Sequence, residues 1–245
     1  MSSAGASTRP RLLLVDALRG VAIVLMVAFH FCFDLTYFKL AGFDFYEDRF
    51  WLNARTLILS MFLFLVGASL VLATRNGIDT RRFLRRLAVI VGAALLVSAG
   101  TWWLFAERFV FFGVLHFIAL ASVLGLAFVR RRWLSLVAGI ALIALGTQYQ
   151  SSWFDVTGRR WIGLMTYKPL TEDYVPLLPW FGVVLLGIFA GPGLQRIAQK
   201  LQSRSTGLLP GWLAAAGRHS LLIYLLHQPL LMGALALYVK LAPAH

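Results

Sequence analysis

Four ionisable residues inside one apolar stretch, Asp16, Arg19, His30 and Asp34 between Leu12 and Phe38, are the first chemistry that the sequence offers. Ionisable side chains are costly within a bilayer, and where they persist they mark pathways and sites. With ~100° per residue on a helix and Asp16 set at zero, Arg19 falls at about 300°, His30 at about 320° and Asp34 back near 0°. All four therefore share one stripe. Asp16 and Arg19 are spaced for an ion pair near one end of the stretch. His30 and Asp34 lie roughly 16 to 22 Å further along, spaced for a second local pair. A carboxylate that orients an imidazole and holds its charge after protonation makes that imidazole a general base.

The elements that must carry these residues are membrane helices. The chain of 245 residues is 60% hydrophobic and only 13% charged, with a mean hydropathy of +0.77, which is far from a soluble domain. The expected fold is all-α, a polytopic transmembrane bundle forming a single domain over 1–245. Seven spans are expected, at 12–38, 51–74, 87–105, 109–129, 133–149, 175–195 and 219–241. The break at Ala106–Arg108 is expected to be a tight hairpin, and Leu194 to Ser205 a surface amphipathic helix. Cys32, the one cysteine, has no partner for an intramolecular disulfide. The first run contains charges and lacks a small-residue cleavage site, so it is expected to be retained as a span.

The net charge of +13 follows from topology and not from nucleic acid, because the basic residues sit in short breaks between spans without interleaved aromatics. With the N-terminus in the cytoplasm, the inner segments hold fourteen Lys and Arg: Arg9, Arg11, Arg75, Arg81, Arg82, Arg85, Arg86, Arg130, Arg131, Arg132, Arg196, Lys200, Arg204 and Arg218. The outer segments hold eight: Lys39, Arg49, Arg55, Arg108, Arg159, Arg160, Lys168 and Lys240. The positive-inside rule thus favours N-in, C-out.

Depths follow from this orientation. His30 and Asp34 belong to the outer part of the first span, His116 lies roughly 10 Å below the outer surface, and His227 roughly 12 Å above the inner one. Asp173 and Tyr174 stand at the outer mouth and, with Trp180 and Arg55, are candidates for binding an acceptor. His227 and Gln228 precede Pro229, whose missing N–H frees a carbonyl for polar side chains to satisfy, so they read as structural or relay groups alongside Asp16. His116 suits either a helix–helix hydrogen bond or a direct catalytic role. Arg81, Arg82, Arg85 and Arg86 determine topology and also suit a phosphorylated cytoplasmic ligand. Trp153, Phe154, Trp161 and Tyr167 in the loop from Gln150 to Tyr174 form an interfacial belt or a lid. No HExxH, cysteine pair or Gly-x-Ser-x-Gly elbow is present, and no metal is expected. Gly113, Gly187 and Gly191 are read as close-packing sites between helices.

Arg11-Leu-Leu-Leu-Val-Asp16-Ala-Leu-Arg19-Gly20, then Met26-Val-Ala-Phe-His30 and Asp34-Leu35, resembles the opening of the heparan-alpha-glucosaminide N-acetyltransferase catalytic-domain family. Gly113-Val-Leu-His116, Asp173-Tyr-Val-Pro-Leu-Leu-Pro-Trp180 and Gly217-Arg-His-Ser-Leu-Leu-Ile-Tyr224-Leu-Leu-His227-Gln228-Pro229 are similar to its bacterial branch. The resemblance implies a membrane acyltransferase of the bacterial inner membrane that moves an acyl group from cytoplasmic acetyl-CoA or another acyl-CoA to a sugar or other envelope acceptor outside. It implies that His30 holds the catalytic position, with Arg19 and the arginines at 81, 82, 85 and 86 toward acyl-CoA and His116 or Arg55 offsetting thioester charge. The lysosomal enzyme has an asparagine where this chain has His30, and its essential histidine falls where this chain has none. Membrane lipids are expected partners, and a homo-oligomer is compatible with the sequence. A proton-coupled carrier of a small solute or lipid would use the same His and Asp stripe as a relay, although no internal repeat of the transporter kind is present.

Overall fold

The structure is a computed structural model, and it describes residues 12–171, 173–203 and 210–242, so Arg9, Arg11 and Arg204 lie outside the described residues. Its helices are α1 (Leu13–Tyr37), α2 (Arg49–Thr74), α3 (Thr80–Phe105), α4 (Val114–Gly125), α5 (Arg132–Gln148), α6 (Trp180–Ser203), α7 (Gly211–Arg218) and α8 (Ser220–Leu241), with short 3-10 turns between α3 and α4 and between α5 and α6. No strand occurs among the described residues. α1, α2, α3, α6 and α8 are each long and apolar enough to cross a membrane, and the chain is a multi-pass membrane protein.

The remaining two expected spans are shorter helices. α4 has 12 residues and α5 has 17, which at ~1.5 Å per residue fall short of a ~30 Å hydrocarbon core. Three boundaries also move for local reasons. α3 starts at Thr80 and not at 87, because the Asp79 carboxylate accepts the Arg82 N–H at 3.0 Å and caps it, which puts all four arginines on the helix. α6 starts at Trp180, after a stretch containing Pro176 and Pro179, and runs through Pro192 to Ser203. The expected surface helix at 194–205 is therefore the continuation of α6 as far as 203. The break at Ala106–Arg108 is a 3-10 turn. α7 is an element that the hydropathy pattern did not single out.

Glycine decides which helices approach closely. A Cβ on Gly67 of α2 would collide with the Val184 carbonyl, and one on Gly187 of α6 with the Phe64 carbonyl, while Gly191 rests against Ala68. Gly139 and Gly182 bring α5 onto α6 in the same way. Gly20 of α1 faces the Leu213 carbonyl and Gly217 of α7 faces that of Asp16. Lipid offers no hydrophobic drive between helices, so close backbone packing supplies much of their association. Gly113 does not join two helices; the Asp173 side chain occupies the space beside it.

Two cores result. The larger contains Leu63, Phe117, Val184, Leu185 and Ile188, all fully buried. The smaller joins Ile23 and Met26 of α1 to Ile58 of α2, with Ala216 and Ile223 packed against it. α2 runs antiparallel to α1, since Phe29 meets Trp51 at 5.7 Å while Arg19 bonds Ser69. α8 runs parallel to α1, with its first turns beside the middle of α1.

The α2–α6 crossing gives a direct test. Gly187→Ala should lower stability by about 1–3 kcal/mol, because the added methyl group must push two backbones apart. Gly92→Ala, in α3 with nothing within 4 Å of the new Cβ, should be neutral or stabilising by up to about 1 kcal/mol. Thermal melting in detergent compares the two, and equal melting temperatures would contradict the packing described.

Candidate active site

α1 and α8 bring together two histidines, a carboxylate and an amide. The rings of His30 and His227 meet edge to face with centroids 4.8 Å apart. Each ring is fixed by its own helix: His30 Nδ1 lies 2.9 Å from the Met26 carbonyl and His227 Nδ1 lies 2.7 Å from the Tyr224 carbonyl. A carbonyl only accepts, so each Nδ1 carries a proton, and in the neutral ring each Nε2 is the acceptor. For His227 the bonded carbonyl is that of Tyr224 and not that of Leu225, which Pro229 leaves free.

Asp34 does not form a direct pair with His30. Its side chain is fully buried, and Oδ1 accepts the Gln228 amide N–H at 2.7 Å. The reason is tertiary: α8 presents a neutral donor at close range, whereas the His30 ring is already turned to its own helix. Asp34 and His30 still interact electrostatically. Three buried atoms of this cluster, Asp34 Oδ2, His227 Nε2 and Gln228 Oε1, have no hydrogen-bond partner. All three are acceptors as the tautomers stand. Such atoms can accept N–H or O–H groups.

The depth expected for His227 is corrected here. α7 runs back along the first part of α1, Leu213 against Gly20 and Gly217 against Asp16, and α8 then turns to run alongside α1, where His227 meets His30. Counting residues from the start of its own helix placed it too far from the level of His30.

A second cluster stands at the other end of α1. Arg19 pairs with Asp16 at 3.2 Å and donates to Ser69 Oγ of α2 at 2.9 Å. Arg86 of α3 is close enough for its charge to oppose those of Arg19 and Arg82, and it lines a small hollow with Leu70, Phe83 and Ser122. Arg81, Arg82 and Arg85, like Arg86, are exposed on the same helix end. Facing guanidinium groups favour an anion between them. Arg19 and His30, eleven residues apart on one helix, are separated by about 16 Å along its axis.

The other candidate residues are placed differently. His116 accepts the Gly113 N–H at Nδ1 and its Nε2 lies 3.2 Å from Ser98 Oγ, so both ring nitrogens serve the α3–α4 turn. Asp173 accepts the Val114 N–H at 3.1 Å and the Tyr224 hydroxyl at 2.6 Å, which caps α4 and ties it to α8. Tyr174 donates to the Arg160 carbonyl, and burial raises its pKa above the ordinary phenol value, keeping that proton in place. Trp180 packs against the larger core. Arg55 is exposed on α2, one turn beyond Trp51 and one before Ile58, on the face turned toward α1. In the 150–174 loop, Arg159 stacks over Trp153 at 3.7 Å and Trp161 meets Phe112 at 6.0 Å, so these aromatic residues are held by their own loop and by the segment that leads into α4. No group of three or more potential metal ligands is found among the described residues.

Two connecting residues escaped the sequence reading. Ser69 gives no signal before its fold is known. Tyr224 does, because it lies three and four residues before His227 and Gln228 on the same helical face.

The family model described as heparan-alpha-glucosaminide N-acetyltransferase, catalytic, matches residues 11–229. Among curated proteins and among solved structures, none matches the chain.

The Asp173 node predicts an order of stabilities. Asp173→Ala strands two donors and should cost about 2–4 kcal/mol, whereas Tyr224→Phe removes one bond and should cost about 1–2 kcal/mol. Melting of the two variants against wild type checks this. A greater loss from Tyr224→Phe would refute the capping role.

Proposed function

The chain belongs to that family, and from this premise we propose that it is a membrane acyltransferase taking an acyl group, acetyl in the simplest case, from acyl-CoA at the Arg19 end to an amine or hydroxyl acceptor at the His30 end. The family supports an acetyltransferase-like activity. The observation that carries the finer reading is the set of unpartnered acceptors, Asp34 Oδ2, His227 Nε2 and Gln228 Oε1, beside the His30 ring.

The phosphates of acyl-CoA dock at Arg19, Arg86 and the exposed arginines of α3, in a membrane orientation with these residues cytoplasmic. The acyl-bearing arm follows α1 toward His30. The acceptor N–H or O–H points at His30 Nε2, while a second donor of the same molecule meets Asp34 Oδ2. His30 removes the proton as the acceptor atom attacks the thioester carbonyl, forming a C–N or C–O bond. Collapse of the tetrahedral intermediate breaks the C–S bond, and the thiolate of CoA recovers the proton from His30. Asp34 stabilises the transient imidazolium electrostatically. His116, with both nitrogens engaged, leaves Arg55 as the better source of positive charge for the thioester oxygen.

Replacement of His30 by Ala should lower acetyl transfer by about 10²- to 10⁴-fold with an unchanged melting temperature. Acetyl-CoA should raise the melting temperature of wild type, and that shift should vanish in Arg19→Ala and in a variant neutralised at Arg81, Arg82, Arg85 and Arg86. Absence of any shift with acetyl-CoA or longer acyl-CoAs would overturn the reading and favour a proton-coupled carrier, for which the facing imidazoles form a relay.

A further inference from the structure

A cleft of about 360 Å³ lies between α1, α7 and α8. Its wall is apolar throughout and includes Val24, Val27, Ala28 and Phe31 of α1 with Ile223 and Leu231 of α8. Val24 and Phe31 are exposed, so the cleft opens on the lipid-facing side of the bundle. His227 lies midway between Ile223 and Leu231, four residues from each, and His30 adjoins Phe31 and follows Val27 by three. The unpartnered acceptors of Asp34, His227 and Gln228 thus sit on the same two helices, close in sequence to the residues of this apolar wall though not lining it.

An occupant suited to both parts has a hydrocarbon chain and a head that donates hydrogen bonds. A water-soluble sugar fits only the second part. A lipid enters sideways from the bilayer without crossing it. We propose that the acceptor is a membrane lipid bearing an amine or hydroxyl on its head, with its alkyl chain in the α1–α8 cleft and its head at His30 and Asp34. This names the acceptor class within the acyltransfer reading and rests on it. The transfer itself is the step already written: the head group loses one proton, gains the acyl carbon, and CoA leaves as the thiol.

The test uses the full chain in nanodiscs with acetyl-CoA and two acceptors of equal head group, octyl glucosaminide and methyl glucosaminide. Partition of the octyl compound into the bilayer favours it in every variant, so the comparison between variants is decisive. The octyl-to-methyl ratio of kcat/KM should fall at least fivefold in Ala28→Phe and in Val24→Trp, which fill the cleft. It should stay at the wild-type value in Leu237→Phe, at an exposed position of α8 outside the cleft. An unchanged ratio in both cleft variants overturns the proposal. So does a ratio that stays constant while octanoyl-CoA loses ground to acetyl-CoA, because the donor's chain then fills the cleft. Where no variant transfers acetyl, thermal stabilisation by octyl glucosaminide separates the two ideas. Stabilisation lost only in the cleft variants upholds the lipid site and rejects acyl transfer, and stabilisation indifferent to the cleft rejects both.

Discussion

A carboxylate with no solvent exposure among apolar helices must be neutralised or given donors, and Asp34 receives one, from the Gln228 amide 2.7 Å away. That bond ties α1 to α8 across 194 residues of sequence and fixes how the two helices slide against each other. With the register set, His227 is brought edge-on to His30, and each ring is turned by a carbonyl of its own helix. The second oxygen of Asp34 is left without a donor. A pair of helices that only needed to pack would place leucines there. An unsatisfied acceptor set in this position makes sense as a place prepared for a ligand, which is the basis of the function proposed.

Glycine makes that register reachable. α7 lies so close to α1 at Gly20 and Gly217 that no other residue fits at either position, and this close docking fixes where α8 starts beside α1. On the far side, Gly67 and Gly187 lock α2 to α6, and Asp173 joins the α4 N-terminus to Tyr224 of α8. The arginine cluster and the histidine pair thus adjoin opposite parts of α1, the first through Arg19 and the second through His30. In the proposed reaction, the donor's length bridges that separation and no helix needs to move.

Much of this was legible in the sequence. Apolar runs located all five long helices, and the 16, 19, 30, 34 spacing identified the stripe of ionisable residues on α1 and the Asp16–Arg19 pair. Asp34 was assigned to His30 because an i,i+4 neighbour is the nearest partner that a single helix offers. Its actual donor is a long-range one that no local rule can supply. The depth of His227 failed for the same reason, since it depends on the packing of an eight-residue helix too short to stand out by hydropathy. The engagement of His116 was within reach: a polar residue at the third position of a helix commonly takes the N–H at the cap.

The central claim is that one bundle joins an acyl-CoA site to an acceptor site on the opposite membrane face. Proteoliposomes with acetyl-CoA on one side and an impermeant amino-sugar acceptor on the other test it most directly. The account predicts acetylated acceptor in the compartment that never contained acetyl-CoA, in one orientation of the protein only, and none with His30→Ala. Acetylation only when donor and acceptor share a compartment, or movement of the acceptor across the membrane without acetylation, would contradict it.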